Sequence, residues 1–244
     1  MHSRWVWLIN SNNNMRKLFL GLAVTAGSLV FAQEKTETIS KSPITFGVKG
    51  GMNISSHTDG NEDTYYWSNY ERKSKIGFNA GAFVNIPVSG KFSVQPGILY
   101  NGLGSKIEST INFDIPDARM NNKETLSLSY LSVPLMLQYN LLPELYVEAG
   151  PEFGFLLGGR SKGDLTQTSN QDGASSTQSY SDKIVMDLFN KFNFGIGIGA
   201  GYYFTQNLAV TARFTAGVTD IYKYNSYDAV RNNALQVGLA YKFK

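Results

Sequence analysis

Hydropathy that alternates every second residue, sustained over most of the chain, confines this sequence to β structure more tightly than any other feature it has. Eight segments carry the pattern. Ile44–Ile54 places Ile44, Phe46, Val48, Met52 and Ile54 on one face and Thr45, Lys49 and Asn53 on the other. Ile76–Val88, Phe92–Tyr100, Leu126–Tyr139, Leu145–Leu157, Phe192–Phe204, Leu208–Val218 and Leu235–Phe243 repeat it. Within Leu126–Tyr139 the phase changes, since Leu126, Leu128 and Tyr130 precede Leu131, Val133 and Leu135. A bulge at Tyr130-Leu131 would return both halves to one face. No residue on the apolar faces is charged, although 17% of the chain is. The charges Lys49, Glu148, Glu152, Lys191, Arg213 and Lys242 sit on the opposite faces. A soluble barrel turns its apolar face inward; the reverse is expected of strands ringed by lipid.

The connections alternate too. Those after the second, fourth and sixth segments are short: Ser89-Gly90-Lys91, Asn140–Glu144 and Thr205–Asn207. The others are long, the longest being the Ser-, Gly- and Gln-rich Gly158–Asp187. Outer-membrane barrels place short turns in the periplasm and long loops outside. Aromatic residues then fall at two levels, as the two membrane interfaces would select. Phe46, Phe92, Tyr139, Tyr202, Phe204, Tyr241 and Phe243 form the periplasmic row; Phe78, Tyr100, Tyr130, Phe153, Phe155, Phe192 and Phe194 form the outer one. The expected fold is all-β: an eight-stranded antiparallel up-and-down transmembrane β-barrel over residues 44–244, with both termini in the periplasm.

Composition fits this placement. Lys+Arg total 22 against 19 Asp+Glu, but Arg4, Arg16 and Lys17 supply the excess within residues 1–32, where there is no acid. The remainder is neutral and has no electrostatic motive for nucleic acid. There is no cysteine, hence no disulfide, thiolate metal site or lipoprotein anchor. From Met15 the chain reads as a secretory signal peptide: a basic Arg16-Lys17, an apolar Leu18–Phe31, then Val30-Phe31-Ala32 before Gln33. Residues 1–32 are thus read as a signal peptide with Met15 as the true start. Residues 33–43 are read as a periplasmic segment, and Sec-type export leads to the outer membrane of a diderm bacterium.

The strings ITFGVKGGMNIS, GFNAGAFVNIPVSGKFSVQPGILY, LSYLSVPLMLQYNL, LYVEAGPEFGFLLGG, FGIGIGAGYYFTQNLAVTARFTAGVTDI and NALQVGLAYKF resemble the PorT-like outer-membrane β-barrel family, similar in shape to small OmpX- and OmpA-type barrels. The resemblance covers most of Ile44–Lys244 and is weakest in the loops. It implies an outer-membrane location, with some members tied to type IX secretion and gliding. The ending Tyr241-Lys242-Phe243 resembles the aromatic signal read by the barrel-assembly machinery, though Lys244 follows it.

Candidate chemistry is sparse. Gly195, Gly197, Gly199 and Gly201 occupy every inward position of one strand, and no helix pattern follows them, so they are read as room inside a narrow barrel and not as a nucleotide loop. His57 is the one histidine left after signal removal, in a loop with Ser55, Ser56 and Asp59; no catalytic site is expected. The acidic Asp59–Asp63 lacks the ligand alternation of a calcium loop, and neither a metal nor a cofactor is expected. Lys49, Glu148, Glu152, Lys191 and Arg213 are read as a lumen network. With about eight strands the interior fills with side chains, so ion pairs are expected ahead of a conduction path. A small porin-like channel is the alternative, and an outer-membrane enzyme a remote one. Finally, Lys106–Ser129 is read as a hairpin projecting beyond the lipid with Ile107, Ile111, Phe113 and Ile115 on one face. With the loop aromatics Tyr66, Trp67 and Tyr224 these form a candidate surface for an envelope protein or surface ligand. The competing reading is that the loops pack on that face themselves.

Overall fold

The computed structural model describes residues 43–58, 68–114, 117–224 and 229–243. The signal peptide, most of the 33–43 segment, the acidic Asp59–Asp63, and Tyr66, Trp67 and Ile115 lie outside them. Among the described residues nine strands form in chain order: β1 (Thr45–His57), β2 (Ser68–Ser89), β3 (Phe92–Asp114), β4 (Asp117–Asn140), β5 (Leu145–Ser169), β6 (Ser175–Lys183), β7 (Phe192–Tyr203), β8 (Leu208–Gly217) and β9 (Asn232–Lys242). Every pairing is antiparallel. β1 pairs with β2 and β9, and β4 with β5, so β1-β2-β3-β4-β5-β7-β8-β9 closes into a ring of eight. Closure leaves no strand edge within the ring, as a lipid surrounding requires.

The ring wears its apolar residues outside. Phe46 is 61% exposed, Ile76 70%, Ile198 60% and Leu239 51%. A band this large and apolar would be untenable in water and matches a lipid contact. Aromatic pairs mark its two margins. Phe92 and Tyr139 lie 4.9 Å apart at the short-turn end, and Phe78 and Tyr100 lie 5.0 Å apart at the other.

Inside, alternate residues fill the bore. Gly201 shows what an inward glycine does here: a Cβ there would enter the ring of Tyr146, its cross-strand neighbour on β5, which lies over it. Gly201→Val should therefore cost about 1–3 kcal/mol through overpacking. Gly50→Ala on the lipid side should be near neutral, because its Cβ would meet only ordinary contacts at 3.5 Å and beyond. Urea titration of both refolded variants checks the contrast.

Three expectations change. β4 keeps one register against β3 throughout and has no bulge of its own, so Leu126, Leu128 and Tyr130 point inward and are all at most 4% exposed. The extra residue lies in β5, between Leu156 and Gly158, opposite Ser129 and Tyr130. Secondly, the projecting piece is wider than a hairpin. The outer halves of β2, β3, β4 and β5 continue past the ring, and β6 adds to β5, giving an open five-stranded sheet. Much of the polar Gly158–Asp187 is therefore strand. Thirdly, His57 ends β1 in a buried position instead of a solvated loop.

Candidate functional site

The lumen carries two layers of different chemistry. The lower is polar. Arg213 on β8 donates through Nε to Glu148 Oε1 at 2.7 Å, and its Nη1 stands 3.9 Å from Glu152 Oε2. Gln138 Nε2 donates to the other oxygen of Glu148 at 2.9 Å, and Asn85 Nδ2 donates to Gln138 Oε1 at 2.8 Å. Asn101 links Glu152 (3.1 Å) to Ser132 (2.9 Å), while its own oxygen accepts from Asn53 and Gln236. Each carboxylate thus meets both a cation and an amide donor, which is what lets buried charge persist. Lys49 lines the same small cavity as Glu148, Tyr146 and Arg213, a void of about 10 Å³, room for roughly one water.

The upper layer is apolar. Leu103, Leu126, Leu128, Tyr130 and Leu156 point into the outer end of the bore, and Phe189, Ile221 and Val230 pack on them from above. Asn190 Nδ2 ties two connections together over the mouth, donating to the carbonyls of Asp220 and Tyr222, each at 2.9 Å. The Phe189 and Tyr222 rings stack across the same seam at 5.2 Å.

Of the five sequence-read lumen residues, Glu148, Glu152 and Arg213 meet directly, and Lys49 lies beside them. Lys191 does not join them. It precedes the first ladder residue of β7, so the strand's alternation does not govern its direction, and its side chain is exposed. The sequence reading missed the amides Asn53, Asn79, Asn101, Gln138 and Gln236, although their inward spacing was visible. It also missed the inward tyrosines 130 and 146, whose chemistry suits either face.

On the projecting sheet, Ile107 and Ile111 are half-buried on the face continuous with the lumen, and Phe113 is 40% exposed. Tyr224 is 73% exposed, with the Lys223 ammonium over its ring, and does not cover that face. The opposite face holds Lys73, which donates to Glu108 at 2.8 Å and also pairs with Glu71 at 3.2 Å. Those bonds raise the Lys73 pKa, and the bond from Lys73 lowers that of Glu108. His57 Nδ1 lies 2.8 Å from Ser105 Oγ, a serine-histidine contact in which Ser105 is wholly buried.

A closed ring of eight antiparallel strands, apolar outside and charged within, defines a transmembrane β-barrel of the bacterial outer membrane. The chain belongs to the outer membrane protein beta-barrel domain family, whose profile matches residues 31–223. No curated protein matches the sequence. Among solved structures it is similar to Ail of Yersinia pestis, at 14% identity and a TM-score of 0.38 over 83% of this chain and 100% of that one. It is similar also to Neisserial surface protein A (13%, 0.40, 83% and 100%) and to OprG from Pseudomonas aeruginosa (12%, 0.36, 83% and 97%).

Proposed function

We propose that this is a non-conducting, non-enzymatic barrel that holds an envelope protein against its projecting sheet. The observation that carries the reading is β6. Ser175–Lys183 ends the strand order, and its side chains are exposed at every position but Tyr180. An edge strand left open offers backbone donors and acceptors to an added strand. The half-buried Ile107 and Ile111 and the exposed Phe113 give such a partner an apolar foothold on the same sheet. The two-layered lumen supports a plug over a pore, and the resemblance to PorT-like proteins makes secretion components the first partners to look for.

The chain has no cysteine, so a single one placed at Gln178 gives a unique cross-linking site. Cross-linking in intact cells should yield one discrete adduct at Gln178→Cys. Adding Ile111→Ser and Phe113→Ser should abolish it while heat-modifiable migration is retained. Loss of barrel stability in that variant would make the apolar face internal packing, and the absence of any adduct would refute the partner. Planar bilayers should stay silent; steady single-channel steps would favour a small pore instead.

A further inference from the structure

We infer that the lipid-side face of the projecting sheet is a binding site for the phosphate groups of an outer-leaflet glycolipid. Two cross-strand rows stand directly beyond the lipid band. The first joins Gly104, Ser127, Arg160 and Lys183; the second joins Lys73, Lys106, Thr125, Lys162 and Ser181. Facing follows from the alternation. Ser105, next to Lys106, is buried toward the lumen, and Ser161, between Arg160 and Lys162, bonds Glu124 on the lumen-side face. Ile184, next to Lys183, packs on the mouth cluster. Lys106, Arg160, Lys162 and Lys183 therefore project outward above Tyr100, Phe155 and Leu157, and all four are exposed.

The arrangement is costly without an anion. Arg160 lies opposite Lys183, and Lys73 opposite Lys106. Like charges directly across a strand pair destabilise a sheet. Lys73 is paired with Glu71 and Glu108, which stand one row farther from the lipid, together with Asp164; Glu108 also partly offsets Lys106. Among the described residues, Lys106, Arg160, Lys162 and Lys183 have no ion-pair partner, and Arg160 bonds only the Ser181 hydroxyl. Lys75 adds to the cluster; burial and then the Lys106 charge hold its pKa below the usual lysine range. With strands about 4.8 Å apart and about 7 Å between alternate residues, Arg160, Lys162 and Lys183 fall within roughly 9 Å of one another, and Lys106 stands roughly 10 to 16 Å from them across the sheet. That spacing suits phosphates borne on one head group. Continuity with the lipid-facing band selects the occupant, because an anion reaching this face from the membrane is a head group. Arginine and lysine there also let their stems lie along the lipid while the charges reach the phosphates.

The test uses the full-length barrel refolded in neutral detergent and titrated with diphosphorylated lipid A, its dephosphorylated form, and inorganic phosphate. Native mass spectrometry and intrinsic fluorescence give the bound fraction. The diphosphorylated form should bind at least about tenfold more tightly than the dephosphorylated one. Replacing Lys106, Arg160, Lys162 and Lys183 by Gln should remove that preference. Replacing Lys91 and Lys223 by Gln should leave it within about twofold. Equal binding of the two lipids by the unsubstituted protein overturns the inference without recourse to any variant. So does retention of the preference in the four-site variant. If millimolar inorganic phosphate displaces the lipid as effectively as excess lipid A does, the site is one for soluble anions and the lipid assignment fails.

Discussion

Glu148→Ala should lower the unfolding stability of the refolded barrel by about 3–5 kcal/mol, seen as a marked fall in the urea midpoint. The carboxylate receives Arg213 Nε on one oxygen and Gln138 on the other, beside a void of only about 10 Å³. Removing it leaves the guanidinium with only Glu152, at 3.9 Å, and leaves Gln138 Nε2 without its acceptor. Water cannot readily replace them, since protein fills the space above and below. The informative comparison is the pair Glu148→Leu with Arg213→Met, which removes both charges together. It should recover most of the loss, because a buried ion pair is worth little against apolar groups of similar volume. If Glu148→Ala cost less than about 1 kcal/mol, water must reach the guanidinium, and a continuous aqueous path would have to be reconsidered.

Ile198→Arg should cost about 2–4 kcal/mol, the penalty of a cation near the midplane of a lipid-facing strand. Ile198 pairs with Ala149 on β5 and Phe214 on β8, and at 60% exposure it has no protein to shelter a charge. Ile198→Leu is the matched control and should be neutral. Equal stability of the two variants would reverse the assignment of inside and outside on β7.

The exterior of this protein was legible because lipid imposes a rule on every residue that touches it. Ile44, Phe46 and Val48, or Ile196 and Ile198, could be placed without knowing what they packed against. The interior obeyed no such rule. Leu126, Leu128 and Tyr130 were assigned to lipid because they are apolar, yet connections folded over the mouth give them a protein environment with the same preference. The outer half of β5 and the whole of β6 have water on both faces, so hydropathy has no reason to alternate. Backbone pairing and polar cross-strand bonds make Ser175–Lys183 a strand, and neither leaves an alternation of hydropathy. His57 escapes the pattern for a related reason: it is three residues beyond Ile54, where the clear alternation ends, and its buried partner Ser105 is 48 positions away.

Two of the three register shifts among the described residues sit at the same height, the third lying at the β2–β3 turn between Pro87 and Ser89. One separates Ser74 from Asn79 in β2, the other lies between Leu156 and Gly158 in β5, and both fall where the closed ring gives way to the open sheet. At each, an odd residue is absorbed locally, so the outer halves of β2 and β5 take their phase independently of the halves below, while β3 and β4 run through in one register. A single-residue change in the outer half of β5 can therefore be taken up at this height without rotating Glu148 or Glu152 out of the bore. The two offsets thus act as slack at the flanks of the crown, where the strands beside β3 and β4 can change length without re-facing the side chains that fill the stem.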